Sequence, residues 1–337
     1  MDEFDKIENE IKNSHKFKEK LISYKDFMAK ELPEDRWIAE GLIPFGITIL
    51  SSSPGQFKTF LLLELSKQIV EGKPAFGHFK TEKLNVLFIN EECSERTFQD
   101  RLKIIKGTGE NIYLTNLAGF KLNPANMTEL LDICKEKKIG LVIFDSLTRI
   151  HDFQENDASS IKKVYEELLK LVENNISVIV THHHRKATIF GQKNVADEMR
   201  GSTDLSAQVD CHIAIDIVAK DKSYLVIVQP KLRQAENLQD FRLDIIKKDT
   251  ISFIYAGKFL PGDAQSLSVE ANKDIVLEVI KTKPGLSSDD IIEHFKGKIG
   301  QVIIKKIISK LSKDEVIYSE TKKPRSWHLK EKIMTIF

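Results

Sequence analysis

GITILSSSPGQFKTFLLLELSKQIVEG, residues 46–72, decides the fold. It opens with an apolar, β-branched run of strand length, GITILSS at 46–52. Small and turn-forming residues follow, and from position 58 the residues Leu61, Leu65 and Ile69 recur at helical spacing. Gly72 stands where a helix stop belongs. The same alternation continues downstream. Strand-like runs lie at 84–90 (LNVLFIN), 111–116 (NIYLTN), 140–145 (GLVIFD) and 176–181 (ISVIVT), with helical patterns at about 58–71, 94–106, 126–138 and 158–174. Apolar strands separated by helices predict an α/β fold with a mostly parallel sheet covered on both faces. After residue 210 four consecutive strand patterns, CHIAIDI, YLVIVQ, FRLDII and ISFIY, predict an antiparallel extension of that sheet.

Working outward, the first 35 residues read as a polar helix, spaced by Phe4, Ile7 and Ile11, and then an irregular segment ending near Pro33. At the other end Pro261-Gly262-Asp263 marks a boundary. The organisation expected is thus a helical segment at 1–35, an α/β domain at 36–262 and a basic module at 263–337. Beyond the boundary, helical patterns at about 272–282, 287–295 and 299–312 precede a hairpin, VIYSETKKPRSWHL, turning near Lys322-Lys323-Pro324. Three helices and a two-stranded wing predict a small α+β winged helix-turn-helix. Its expected core is Ile275, Leu277, Val279, Ile291, Ile292, Val302, Ile303, Ile307, Ile308 and Leu311.

The chain of 337 residues is 41% hydrophobic and 30% charged, ordinary for a globular protein of two or three domains. No stretch reaches the roughly 18 unbroken apolar residues of a membrane span, and the charged start lacks a secretory core. Three scattered cysteines argue against a disulfide framework or zinc module and for a reducing compartment, so the cytoplasm is expected. The net charge of +1 is unevenly spread: from Lys296 to Lys332 eleven Lys/Arg face four Asp/Glu, leaving the rest acidic. A basic tail on an acidic body suits a polyanion, though a solvated lysine face reads the charge equally well. Lys305, Lys306 and Lys310 on the third helix, with Lys322, Lys323 and Arg325 on the wing, are the candidate DNA contacts.

The loop SSSPGQFKT at 51–59 joins strand to helix, where helix-terminal N–H groups and the helix dipole favour a phosphate. Against G-x-x-x-x-G-K-[ST], Lys58 and Thr59 fit, while Ser52 and Phe57 replace the two glycines. Phe57 is awkward because a bulky side chain resists positive φ. Ser53, Pro54, Gly55, Gln56, Phe57, Lys58 and Thr59 are the candidate ATP-binding residues. Context supports them. Asp145 ends an apolar strand, where a carboxylate can hold Mg²⁺ with Thr59. Glu91 and Glu92 follow the strand LNVLFIN, where a carboxylate can orient attacking water. ISVIVT runs into His182-His183-His184-Arg185-Lys186. Adjacent histidines suggest a metal, but strand neighbours alternate faces and no further ligands complete a shell. A polar sensor of the γ-phosphate and a basic loop (184–199) near nucleic acid fit better.

VIFDSLTRIHDFQENDAS (142–159), VIVTHHHRK (178–186) and MRGSTDLSAQVD (199–210) together resemble the RepA-type hexameric replicative helicases, RecA-like P-loop ATPases of the DnaB-related branch. The resemblance covers about residues 36–260 and includes the opening WIAEGLIPFGITIL. Loops like G-S-F-K-T, with an aromatic before the lysine, occur in this group. The resemblance implies ATP and Mg²⁺ as ligands, with Lys58 and Thr59 on the phosphates and metal and Asp145 as the Walker B carboxylate. It implies Glu92 as catalytic glutamate and His182 and His183 as the γ-phosphate sensor pair. It places Arg185, Lys186 and Arg200 by single-stranded DNA in a central channel. Lys231 and Arg233 would reach a neighbouring subunit's nucleotide, which requires a homo-oligomer, expected to be a hexamer. The activity implied is an ATP-dependent DNA helicase; the alternative is a nucleotide-gated DNA-binding regulator of replication or transcription that does not unwind.

Overall fold

The computed structural model of the chain describes residues 21–105, 110–152, 158–183, 207–216, 223–259, 263–296, 299–319 and 325–330. It divides into two compact units, Met1–Arg36 and Trp37–Phe337. In the first, a helix α1 (Tyr24–Met28) interrupts the stretch expected to be irregular, capped by Ser23, whose hydroxyl accepts from the Asp26 amide. The polar helix expected around Phe4, Ile7 and Ile11 lies outside the described residues.

The second unit opens with a short antiparallel pair, β1 (Trp37–Ala39) and β2 (Ile43–Pro44). Its nine-stranded sheet is built from β3 (Ile47–Ser52), β4 (Asn85–Asn90), β5 (Ile112–Asn116), β6 (Ile139–Asp145), β7 (Ser177–His183), β8 (Cys211–Asp216), β9 (Tyr224–Leu232), β10 (Phe241–Lys247) and β11 (Ile251–Lys258). The order is β11-β10-β9-β8-β3-β7-β6-β4-β5. The six strands from β8 to β5 are parallel, and β9, β10 and β11 continue antiparallel. The change of direction therefore comes one strand later than the consecutive-strand pattern predicts, because β8 lies parallel to β3. This large, mostly parallel sheet with helices fits a RecA-like ATPase fold.

Alternation along the strands explains the layering. Val86 and Phe88 on β4, with Leu141 and Ile143 on β6, belong to one apolar core; Leu87, Ile89, Val142 and Phe144 belong to the other. The first core is covered by α2 (Lys58–Glu71), through Leu61, Leu62, Leu65 and Ile69, and by Phe98 and Ile105 of α3 (Glu95–Ile105). The second is covered by Met127 and Leu130 of α4 (Pro124–Glu136) and Val164, Leu168 and Leu171 of α5 (Ala158–Glu173). Each such side chain contributes about 1.5–3 kcal/mol when fully buried. Gly72 ends α2 at φ 67, a left-handed cap that places its amide on the Ile69 carbonyl.

The C-terminal part contains α6 (Asp263–Thr282), β12 (Leu286–Ser287), α7 (Ser288–His294), α8 (Gln301–Lys313), β13 (Ile317–Ser319) and β14 (Ser326–Leu329). The strands form a separate sheet ordered β12-β14-β13. Its core differs from the expected set. Ile275 and Val302 are exposed, whereas Val276, Ile280, Phe295, Ile304 and Trp327 are buried. The cause is helical phase: Val269, Val276 and Ile280, seven and four residues apart, define the inner face of α6, and Ile275 falls outside it. The capping box at Ser287 and Asp290 fixes the start of α7.

Glu64 is a buried carboxylate on α2. Burial raises its pKa, against the opposing pull of Lys67 and a hydrogen bond from Gln68 Nε2 at 2.9 Å. Raising a carboxyl's native pKa destabilises the fold once the pH exceeds that value, and has no such effect below the unfolded pKa near 4.5. Glu64→Gln should therefore raise the Tm at pH 7, and the gain should disappear as thermal melts are taken down through pH 4.5.

Candidate functional site

Strand register brings the predicted groups to one sheet edge. Ser52 pairs with His183, and Asn90 with Asp145, so the carboxyl ends of β3, β7, β6 and β4 are level. β3 lies between β7 and β8, and the crevice at such a crossing is where open α/β sheets bind ligands.

The loop after β3 turns through Gly55 at φ 74 and reaches α2 at Phe57, whose φ of 60 and ψ of 11 are left-handed. That conformation costs a non-glycine residue roughly 1–2 kcal/mol. The Phe57 ring packs 5.9 Å from Phe60 and edge-on 6.3 Å from Phe253, with the Lys247 ammonium 5.6 Å from its centroid. Aromatic pairs contribute about 0.5–1.5 kcal/mol each and an exposed cation over a ring about 0.5–1 kcal/mol. Those contacts match the backbone cost. The residue that breaks the glycine pattern is thus held by the core beneath it.

Lys58 is 6% exposed. Its Nζ donates to Ser52 Oγ at 2.9 Å and to His183 Nδ1 at 3.0 Å. Desolvation lowers its pKa, partly opposed by Glu92 and Asp145. Ser52, which stands in the first glycine position, thereby acquires a use: its hydroxyl accepts from Lys58 and donates to the Ser53 carbonyl at 2.9 Å. An ammonium donating to Nδ1 leaves the His183 ring proton on Nε2. That nitrogen faces Glu92 Oε1 at 3.5 Å. The hydrogen bond to His183 is the largest influence lowering the Glu92 pKa, against the effect of burial.

Asp145 is fully buried and accepts from Thr59 Oγ1 at 2.7 Å and Thr181 Oγ1 at 2.6 Å. Burial raises its pKa, against both hydroxyls, and the nearby Glu92 adds to the rise. A hydroxyl and a carboxylate this close offer hard oxygen donors of the type Mg²⁺ takes beside phosphate, usually with only one or two protein ligands. Thr59 and Asp145 therefore fit that ion, and Lys58 with the loop amides fits a triphosphate. Among the described residues no cluster of three or more His, Cys, Asp or Glu side chains is arranged to hold a metal by itself.

The two glutamates separate cleanly. Glu91 accepts from the Gly119 and Phe120 amides at 3.1 and 3.2 Å, tying the loop after β5 to β4. Glu92 instead lines the pocket with the Gly55 to Phe60 loop and His183. The histidine pair separates too. Strand alternation turns the buried His182 to the opposite face from His183, so the pocket receives one histidine where the resemblance implies two. Ser53 and Pro54 form the turn but do not line the pocket.

Lys231 and Arg233 lie elsewhere. Leu232 pairs with Cys211, which pairs with Thr48, placing them by the start of β3, at the opposite end of the sheet from the phosphate loop. Lys231 Nζ donates to the Ala207 carbonyl; Arg233 holds Asp210 Oδ1 at 2.9 Å and the Gln208 carbonyl at 2.8 Å. They do not reach the pocket of their own chain. Of the candidate DNA contacts, Arg185, Lys186, Arg200, Lys322 and Lys323 lie outside the described residues. Lys310 pairs with Glu270 of α6 at 2.5 Å in an exposed ion pair. Lys305 and Arg325 face an open groove, and Lys306 is exposed beside it.

Two contributors were not anticipated. Thr181 is the polar last residue of ISVIVT, and a lone hydroxyl ending an apolar strand was a usable signal. Arg101 of α3 lines the phosphate pocket, its guanidinium 5.7 Å from the Phe60 centroid and 3.6 Å from Cys93 Sγ. No spacing rule marked it, since the position depends on how α3 packs on α2.

The sequence profile of the family described as AAA domain matches residues 14–188. No curated protein matches the chain. Among solved structures, the flagellar accessory protein FlaH from Methanocaldococcus jannaschii is similar with a TM-score of 0.43 and 10% identity, over 65% of this chain and 92% of that one. No helix among the described residues is long and apolar enough to cross a membrane.

A cation at the mouth of a phosphate pocket should contribute through charge-assisted hydrogen bonds of about 1.5–3 kcal/mol. Arg101→Ala should weaken ATP binding about tenfold or more by fluorescence titration, and Arg101→Lys should recover part of the loss. Unchanged affinity in Arg101→Ala would restrict Arg101 to packing on Phe60.

Proposed function

The chain belongs to the AAA domain family and is a nucleotide-binding P-loop ATPase, and from that footing we propose that it is an ATP-driven motor on DNA of the RepA-like replicative helicase type. The observation that carries the reading is the continuous contact Ser52–Lys58–His183–Glu92 beside Thr59–Asp145.

Each group then has a task. Lys58 exchanges Ser52 and His183 for β- and γ-phosphate oxygens and keeps its charge in a desolvated setting, where electrostatic stabilisation is strong. Glu92, ionised through its contact with His183, orients the attacking water and accepts its proton. His183 touches both Lys58 and Glu92, so the arrival or loss of the γ-phosphate is felt at the carboxylate. Bound Mg²⁺ supplies charge neutralisation at the phosphates, and Thr59 and Asp145 are the residues that would hold it.

Lys231 and Arg233 would serve a neighbouring chain's nucleotide, and that role would require a homo-oligomeric ring, with six subunits as the working number. Arg185, Lys186 and Arg200 would follow single-stranded DNA in its channel. The C-terminal part, read as a winged helix, adds a duplex contact, and the cytoplasm is the compartment proposed. The second reading, a nucleotide-gated regulator of replication or transcription without unwinding, is favoured by the serine and phenylalanine in place of the loop glycines.

ATP hydrolysis, assembly state by light scattering and displacement of a strand from a forked duplex test the two readings together. The motor reading expects single-stranded DNA to stimulate hydrolysis, oligomers in ATP, ATP-dependent displacement, and loss of turnover in Lys58→Ala. Lys231→Ala/Arg233→Ala should lower turnover on the order of 10³-fold while leaving nucleotide binding in place, as for other trans-acting cations. Tight duplex binding without displacement would instead select the regulator.

A further inference from the structure

A groove in the C-terminal part lies between α8 and β14. Lys305, Ser309, Ser312 and Lys313 of α8 line one side, with Arg325 before β14 and Ser288 at the start of α7 on the other. Among the described residues three cations and three hydroxyls line it, and no carboxylate does. Among the described residues, several other lysines of this region lie beside carboxylates: Lys310 pairs with Glu270, Lys296 with Glu293, Lys273 with Asp314 and Lys330 with Glu315. The nearest carboxylates after α8, Asp314 and Glu315, are thus both turned to lysines outside the groove. The described lining of the groove is cationic.

The floor is Trp327, which is 4% exposed. Its indole N–H donates to Ser288 Oγ at 2.9 Å, and the Arg325 guanidinium lies 5.9 Å from its centroid. A buried ring already covered by an arginine is not offered to a base for stacking. From Lys305 to Lys313 the helix advances about 12 Å, at about 1.5 Å per residue. One strand of a duplex carries a phosphate about every 3.4 Å of axis. The row of donors therefore spans several successive phosphates and exceeds what a single small anion needs.

We propose that the groove between α8 and β14 is a binding site for the sugar-phosphate backbone of duplex DNA, gripping it without regard to base sequence. The assignment rests on the reading of DNA as the partner and narrows it. The C-terminal part is a tether, and the contact is made by Lys305, Lys313 and Arg325 in the groove. Phosphate contacts fix position and carry no sequence information.

Fluorescence anisotropy of the full chain without nucleotide, on two labelled duplexes of unrelated sequence over a salt series, tests it. Wild type should bind both duplexes alike. Lys305→Ser/Lys313→Ser should weaken both about tenfold or more at low salt and lower the salt slope by about 2. Lys281→Ser/Lys296→Ser, which removes the same charge away from the groove, should change neither. Circular dichroism melts of each variant separate unfolding from lost contact, and Arg325→Gln, one exposed substitution, should give a slope change of about 1. Equal losses in the groove and control variants would overturn the groove while leaving DNA as a partner. So would a strong preference for one sequence, or equal displacement by polyglutamate. Failure of wild type to bind either duplex would instead remove the duplex-DNA reading on which the inference rests.

Discussion

A buried ammonium is the constraint on which the site depends. Lys58 sits at the first turn of α2 with almost no exposure, and an unpaired charge there would cost several kcal/mol. Ser52 and His183 satisfy it through hydrogen bonds, and Glu92 and Asp145 through their charge. All of these belong to strand ends, so the level register of β3, β7, β6 and β4 is what makes the lysine tolerable. A slip of one residue in β7 would still put a histidine beside Lys58, but it would take the Thr181 hydroxyl away from Asp145.

The same arrangement explains why the loop tolerates the loss of its glycines. Gly55 keeps the positive φ needed in the middle of the turn, Phe57 takes the second with its ring anchored on Phe60 and Phe253, and Ser52 supplies an oxygen where glycine has none. Packing and one hydroxyl replace backbone freedom. The polar groups of the site also divide by layer. Asp145 is held by hydroxyls from α2 and β7 below the loop, whereas Glu92, His183 and Arg101 border the pocket itself.

Much of this was legible in the chain. The period of the apolar residues marks the parallel strands and their helices, and Lys58, Thr59, Glu92 and Asp145 are recognisable because strand ends of such sheets face one edge. What was hidden depends on contacts between elements. The division of labour between Glu91 and Glu92 is decided by the amides of Gly119 and Phe120, far along the chain. The split of His182 from His183 follows from alternation once the register is known. Arg101 enters only through the packing of α3 on α2, and the pairing of Lys310 with Glu270 depends on how α6 and α8 meet. In the C-terminal part, the inner face of α6 runs through Val269, Val276 and Ile280, which leaves Ile275 outside it.

A triphosphate bound here would take the place of Ser52 and His183 at the Lys58 ammonium. Calorimetric titration of ATP with Mg²⁺ into the full chain reads that exchange. Saturable binding near one nucleotide per chain is expected, and its loss in Lys58→Ala with the fold intact by circular dichroism. Absence of binding by the folded wild type, or undiminished binding by Lys58→Ala, would contradict it.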